Sequence, residues 1–356
     1  MSLTPNPTII FVSATQGIPV PGQNLVYRQD ITIDVDNEPL NGGILTKSVA
    51  LGIDPWLRSR MVYEYKPNTP VLGYGIGVVL RSENPKFQVG DYVQARSHPF
   101  AHYAVLSEEA GTIRALKNDA GLPWTAYLGV LGLAGETAWV GYKAYAEATK
   151  GETIYISTGA GAVGSAVCQV AKAEGLRVIA SAGSDTKVEF LKEIGVDVAF
   201  NYKKQDVGTV LKESGGIDIY WDNVGGKTLE TVMGCMNRYG RIVVCGFASE
   251  YNLPPAEWHG NKSFFFALVK NLTINGFIIP DTIAKFGDFD FEAEVTKMVK
   301  EGRMKAREEP SDKLEDAMKM LGDCLIGANE GKGTNAKELD GQGITVLLND
   351  AILADV

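Results

Sequence analysis

Over the first 125 residues, apolar positions come in short runs punctuated by glycine and proline, as in GILTKSVALGI, GYGIGVVL, VGDYVQA and HYAVLS. Such runs between turn residues predict half-buried strands, and helix-length amphipathic stretches are scarce there. Glycines at 73, 75 and 77 predict a bent strand or a close backbone approach. Residues 1–125 are therefore expected to form a β-rich, barrel-like unit. Near Leu128 the pattern changes: LGVLGLAGETAWVGYKAYAEA predicts a helix despite its glycines. From Glu152 strand and helix alternate. Thr153–Ser157, Arg177–Ser181, Val196–Phe200, Ile217–Trp221 and Arg241–Cys245 read as buried strands. Val163, Ala166, Val167, Val170 and Ala171 fall on one helix face, and Asp185–Ile194 reads as the next helix. This spacing predicts an α/β fold with a doubly wound parallel sheet.

Toward the C-terminus, Glu292–Gly302 and Lys313–Leu321 predict helices. Ile344–Leu348 is a strand-like run, free to return to the first domain. The polar, glycine-rich stretch 322–343 between them is expected to be a loop, whether lid, partner surface or insertion. SFFFALV at 263–269 suits either an interface or core packing.

Composition narrows the function classes. The 356 residues are 45% hydrophobic and 22% charged, with a net charge of -9, which disfavours general binding to nucleic acid or anionic membranes. The four cysteines, at 168, 235, 245 and 324, have no CxxC spacing, so reduced thiols are expected rather than a disulfide framework or structural zinc. No secretory signal or membrane span is visible. The expectation is a soluble cytoplasmic protein.

TIYISTGAGAVGSAVCQVAKAEG carries the strongest chemistry. Gly159, Gly161 and Gly164 complete G-x-G-x-x-G after a strand and before a helix. In that context the glycines permit a tight turn, close approach of a pyrophosphate and tight helix packing, while Ala162 and Val163 open a helix whose amides face the anion. The following strand ends VIASAGSDTK, without the Asp or Glu that usually accepts the ribose hydroxyls of NAD. Ser184 and Lys187 stand there instead, and a lysine suits an added phosphate. Asp185 keeps NAD open, but the missing strand-end acid favours NADPH.

The residues resemble the zinc-independent branch of the medium-chain dehydrogenase/reductase superfamily, and within it the leukotriene B4 12-hydroxydehydrogenase, prostaglandin reductase and alkenal double-bond reductase family. GIDPWLRSRM at 52–61, GYGIGVVL at 73–80, LGVLGLAGETAW at 128–139, the glycine motif, GSDTKVEFLKEIGVD, NYK at 201–203, WDNVGG at 221–226 and GRIVVCG at 240–246 carry the likeness, in order, over nearly the whole chain. The resemblance implies a Rossmann domain over 126–309 and a GroES-like β-rich catalytic domain made of 1–125 and 310–356, with NADPH between them. It further implies that Lys187 and Tyr202 contact the adenosine-side phosphate, that Asn223 and Asn349 approach the cofactor, that Tyr251 lies near the substrate as a polar or proton-donating group, and that the chain is a homodimer. Two departures stand out. Trp56 replaces a tyrosine common among relatives and cannot serve as the same acid; it forms an aromatic wall or simply packs. The segment at 322–343 is longer than usual.

The implied reaction is NADPH-dependent reduction of the carbon–carbon double bond of an α,β-unsaturated aldehyde or ketone. Hydride reaches the β carbon and a neutral donor stabilises the enolate oxygen. Tyr251 could be that donor or a pocket wall. A zinc dehydrogenase is disfavoured: the only histidines are 98, 102 and 259, and His98 and His102, which share a segment, have no preceding cysteine, so no ligand set is recognisable. No G-x-S-x-G elbow supports a hydrolase. An NADPH-dependent quinone reductase and a non-enzymatic NADPH-binding protein remain the alternatives.

Overall fold

The computed structural model describes residues 3–108 and 112–329, with the backbone of 345–348. The chain divides into two compact units.

The first comprises Met1–Leu128 and Glu308–Asp323 with the strand Thr345–Leu348. Its seven-stranded sheet runs Ile113–Ala115, Tyr92–Pro99, Leu72–Ser82, Ile44–Ile53, Thr345–Leu348, Glu309–Ser311, and Tyr103–Leu106 pairs with Ile44–Ile53 as well. Pairing is antiparallel except that Thr345–Leu348 runs parallel to Ile44–Ile53, with Val346 opposite Leu51. Ile44, Val79, Val93, Ala104 and Leu106 meet in one buried cluster, which is how the short apolar runs bury themselves. The glycine-spaced stretch lies inside Leu72–Ser82, where a Cβ on Gly75 would stand 2.6 Å from the His98 side chain. Directly after Ile44–Ile53 comes the helix Trp56–Tyr63.

The second unit comprises Gly129–Arg307 and, among the described residues, Cys324–Asn329. Its six-stranded sheet has the order Val198–Asn201, Arg177–Ala182, Thr153–Ile156, Ile217–Asp222, Met236–Val244, Thr273–Gly276. Every neighbouring pair is parallel, the doubly wound Rossmann arrangement. Tyr155, Ile179, Phe200, Tyr220 and Ile242 pack on one another with helix residues Leu211, Val232 and Met233.

Several expectations shift. The first helix of this unit is Leu133–Tyr145 and does not reach back to Leu128. Gly132 is extended at its N-cap, and the preceding turn comes so close that a Cβ on Gly135 would collide with the Val130 carbonyl. The helices Val207–Glu213 and Gly226–Cys235 carry weak local signals, the latter opening on Gly226 behind the N-cap Gly225. The edge strand Thr273–Gly276 is short and follows a run that reads as continuously apolar. That run forms a helix, Phe265–Lys270, with Phe264, Phe265 and Leu268 exposed by 64%, 65% and 73%, so core packing does not account for these three. The C-terminal helix is Asp316–Ile326. The stretch 322–343 is therefore helical at its start and not wholly a loop; positions 330–343, like Asn349, lie outside the described residues.

Candidate active site

At the end of Thr153–Ile156 the chain turns through Ser157 and Thr158 into the helix Ala162–Ala173. The left-handed residue of this turn is Thr158, at φ 52°, an unusual conformation for a β-branched residue. Gly159 answers a different need: its N–H donates to Ser181 at 2.8 Å, and a Cβ there would lie 2.6 Å from that of Ala180. Gly161 is extended at the N-cap. A Cβ on Gly164 would meet the Thr158 carbonyl at 2.3 Å, so the helix start and the turn share space only glycine leaves. Ala162 and Val163 form the first turn, which holds no acidic side chain. Its leading amides lack intrahelical acceptors, and the helix dipole adds partial positive charge. The arrangement suits an anion such as a pyrophosphate.

Under the turn lies a buried polar network. Ser157 Oγ accepts from the Asn223 backbone N–H at 3.1 Å and lies 3.1 Å from the Tyr220 hydroxyl. The Asn223 side-chain amide donates to the Ser157 carbonyl at 2.7 Å, and its oxygen accepts from the Trp221 indole at 3.0 Å. Asp222 Oδ1 accepts from Val224 and Gly225 N–H, both at 2.9 Å, and from Tyr220 at 2.7 Å. Burial pushes the Asp222 carboxyl above the usual range and the Tyr220 phenol well above its own, the first opposed by those same hydrogen bonds. Asn223 thus ties the fourth strand's end to the glycine turn. Asp222 organises the Asp-Asn-Val-Gly-Gly bend, whose Gly225 and Gly226 have φ 71° and 49°. Sequence reading singled out Asn223 but passed over Ser157 and Asp222. An Asp shortly before two glycines was the available signal.

At the end of Arg177–Ala182, Ser184 caps the helix Asp185–Glu193 by accepting the Lys187 N–H. Lys187 is buried, with its ammonium 3.4 Å from the Gly327 carbonyl. Tyr202 approaches the same strand end, donating its N–H to the Ala182 carbonyl at 3.3 Å. Ser184, Lys187 and Tyr202 thus surround one strand terminus. The carboxylate of Asp185 is engaged elsewhere: Asn201 donates to it at 2.9 Å and Lys204 pairs with it. Lys204 and Asn201 hold it below the usual carboxylate range. Asp185 thus has partners on the Val198–Asn201 side.

Tyr251 lies past the fifth strand, half-buried, its hydroxyl accepting the Phe247 N–H at 3.2 Å. That bond uses an oxygen lone pair and not the phenolic hydrogen.

In the first unit, Asp54 Oδ1 accepts the Trp56 N–H at 3.0 Å. The Asp54 carboxyl is fully buried and pushed up to about 7 by burial, against the Trp56 and Leu57 amides and the Arg60 charge. Among the described residues the histidines belong to no group that could hold a metal ion. His98 is buried, its Nδ1 donates to the Pro99 carbonyl at 2.8 Å, and burial lowers its pKa to about 4. His259 pairs with Glu230. Among the described residues no group of three or more His, Cys, Asp or Glu could hold a metal ion.

Residues 9–113 match the family described as the N-terminal domain of oxidoreductase, and residues 162–297 match the zinc-binding dehydrogenase family. The NADP-dependent oxidoreductase RED1 of Cochliobolus heterostrophus is 40% identical over 78% of this chain and 82% of its own length. A 2-alkenal reductase (NADP(+)-dependent) of Nicotiana tabacum is 36% identical over 88% of this chain and 92% of its own. The solved structure of CurA in complex with NADPH, from Vibrio vulnificus, aligns with a TM-score of 0.81 at 30% identity, covering 96% of this chain and 99% of that one.

Proposed function

This chain belongs to the zinc-independent branch of the medium-chain dehydrogenase/reductase family that holds the alkenal and enone reductases, and on that footing we propose that it reduces the carbon–carbon double bond of α,β-unsaturated aldehydes or ketones with NADPH. The observation that carries the reaction is the near-full-length likeness to a 2-alkenal reductase. The second unit fits the cofactor on its own chemistry: a glycine turn feeding a helix start free of acid, and a strand end with a buried lysine while the nearby Asp185 is paired away.

In this reading Gly159, Gly161, Ala162, Val163 and Gly164 cradle the pyrophosphate. Ser184, Lys187 and Tyr202 take the adenosine-side phosphate, a role in which a lysine acts as a point charge. Asn223 holds the turn from behind, and the role of Asn349 beside the cofactor rests on the family resemblance alone. NADPH, when bound, supplies hydride to the β carbon, and negative charge collects on the carbonyl oxygen. Tyr251 donates toward that oxygen, since an ordinary phenol is neutral near pH 7. Trp56 forms an aromatic wall for the substrate.

We also infer a cytoplasmic homodimer. Among the described residues the cysteines form no disulfide, as in a reducing compartment, and no helix there is long and apolar enough to cross a membrane. Thr273–Gly276 is an edge strand, and the adjacent helix exposes Phe265 and Leu268. An open edge beside apolar surface invites pairing with a second copy. Sedimentation of a Leu268→Glu variant should show monomer; a wild type that sediments as monomer contradicts the inference.

The reaction is tested by product analysis across short alkenals, aryl enones and quinones with NADPH. Saturated carbonyl products support the proposal. Allylic alcohols, or turnover of quinones alone, contradict it.

A further inference from the structure

Trp56 opens the helix Trp56–Tyr63, and its indole is held on two sides. The Arg60 guanidinium, one helical turn on, stands 4.6 Å from the indole centroid, and Tyr74 meets the indole edge-on at 5.9 Å. Arg60 is itself fixed. Its Nε donates to Glu64 Oε2 at 2.8 Å and its Nη1 to the Leu72 carbonyl at 2.9 Å, while the Tyr65 ring lies 5.2 Å from the guanidinium carbon. Tyr65 is anchored through its hydroxyl to the same Leu72 carbonyl. Asp54 fixes the backbone end by accepting the Trp56 N–H. Arg60 is only 7% exposed, yet Trp56 is 37% exposed.

A core tryptophan would be covered all round, and a loose surface one would adopt many rotamers. Trp56 is neither: its orientation is set and much of its surface stays open. Building that support takes a buried cation, an expensive element unless it is hydrogen-bonded, and here Nε and Nη1 both have partners. A guanidinium can stack flat on an aromatic face, which a lysine ammonium does not reproduce. An aromatic surface fixed before binding loses little freedom when a flat ligand stacks on it.

We propose that Arg60 is a positioning residue that sets the Trp56 indole as a stacking platform, and that this platform makes the enzyme favour extended planar substrates, such as aryl-substituted enals and enones, over short aliphatic alkenals. The proposal rests on the reading of Trp56 as a substrate contact. Stacking between offset or edge-on aromatic groups supplies the preference; a short alkenal offers little planar area to share.

Cinnamaldehyde and crotonaldehyde form a matched pair, with phenyl against methyl on the same conjugated aldehyde. Steady-state kinetics with saturating NADPH give the ratio of their kcat/KM values for wild type, Trp56→Leu, Arg60→Met, Arg60→Lys and the Trp56→Leu/Arg60→Met double variant. Thermal melting identifies any variant that fails to fold. Trp56→Leu should cut the cinnamaldehyde-to-crotonaldehyde ratio by about tenfold, chiefly through the KM for cinnamaldehyde. Arg60→Met should cut it by about fivefold alone and no further once the indole is gone. Arg60→Lys, which keeps the charge without the flat stack, should behave like Arg60→Met and serves alone if the methionine variant does not fold. An Arg60 effect that persists in the Trp56→Leu background, or an unchanged ratio in folded Arg60 variants, overturns the positioning role. An unchanged ratio in Trp56→Leu overturns the substrate-contact reading instead. Absence of NADPH-dependent turnover of either aldehyde by wild type is the separate failure of the proposed reaction.

Discussion

The side-chain amide of Asn223 donates to the carbonyl of Ser157, 66 residues earlier, at 2.7 Å. This bond joins the end of Ile217–Asp222 to the turn that follows Thr153–Ile156. Its oxygen is occupied by the Trp221 indole, so both ends of the amide have structural partners. Asn223→Ala should leave the buried Ser157 carbonyl and Trp221 N–H without these partners, at about 1–3 kcal/mol. Thermal melting should fall and the Kd for NADPH should rise together. A weakened Kd with unchanged melting would show that Asn223 acts on the cofactor and not through the turn.

Lys187 is predicted to discriminate between the two nicotinamide cofactors. It is buried, beside a strand that ends in Ser181 and Ala182 and not in an acid. Lys187→Ala should weaken NADPH by about 1–3 kcal/mol, the range of a charged hydrogen bond, and affect NADH much less. Titrating both cofactors against wild type and variant checks this. Equal losses would remove Lys187 as the discriminating contact.

Asp54 sets a pH dependence of stability. Burial raises its carboxyl from 3.8 to about 7, and Oδ2 has no hydrogen-bond partner among the described residues. A group with a raised folded pKa binds more protons in the native state, so its contribution is complete below the unfolded value and is lost as pH rises through the folded one. Asp54→Asn should therefore become progressively more favourable relative to wild type between about pH 4 and about pH 7, and level off above. Calorimetric melting of both proteins across that window measures it; parallel curves would show that Asp54 titrates normally.

Tyr251 accepts the Phe247 N–H through its oxygen, a bond that does not use the phenolic hydrogen proposed to reach the enolate. Tyr251→Phe should lower kcat by about tenfold to a hundredfold, in the range of one hydrogen-bond donor to a developing oxyanion, with a smaller change in the Kd for NADPH. Unchanged kcat would make the residue a pocket wall.

The strand, glycines and helix at 153–173 are legible in the sequence because the apolar β-prone run, the turn residues and the helical face adjoin one another. So is the wider alternation that builds the parallel sheet. What escapes depends on distant neighbours. Nothing local marks Thr158 for a left-handed conformation, and it is the distant Ala180 and Leu191 that crowd a Cβ at Gly159. Asn223 stands out in its motif, yet its partners are Ser157 and Trp221. Lys187 reads as a solvated first-turn residue or a phosphate contact; its burial and its approach to Gly327 arise from a segment 140 residues on. The edge strand Thr273–Gly276 is four residues long, too short for periodicity to separate it from the apolar run before it.

The most direct test of double-bond reduction follows the hydride itself. NADPH carrying deuterium at the reactive C4 position is supplied to the enzyme with cinnamaldehyde, and the product is read by NMR and mass spectrometry. The account predicts deuterium on the β carbon of a saturated aldehyde, with the α hydrogen drawn from solvent. Deuterium on the carbonyl carbon of an allylic alcohol would contradict it.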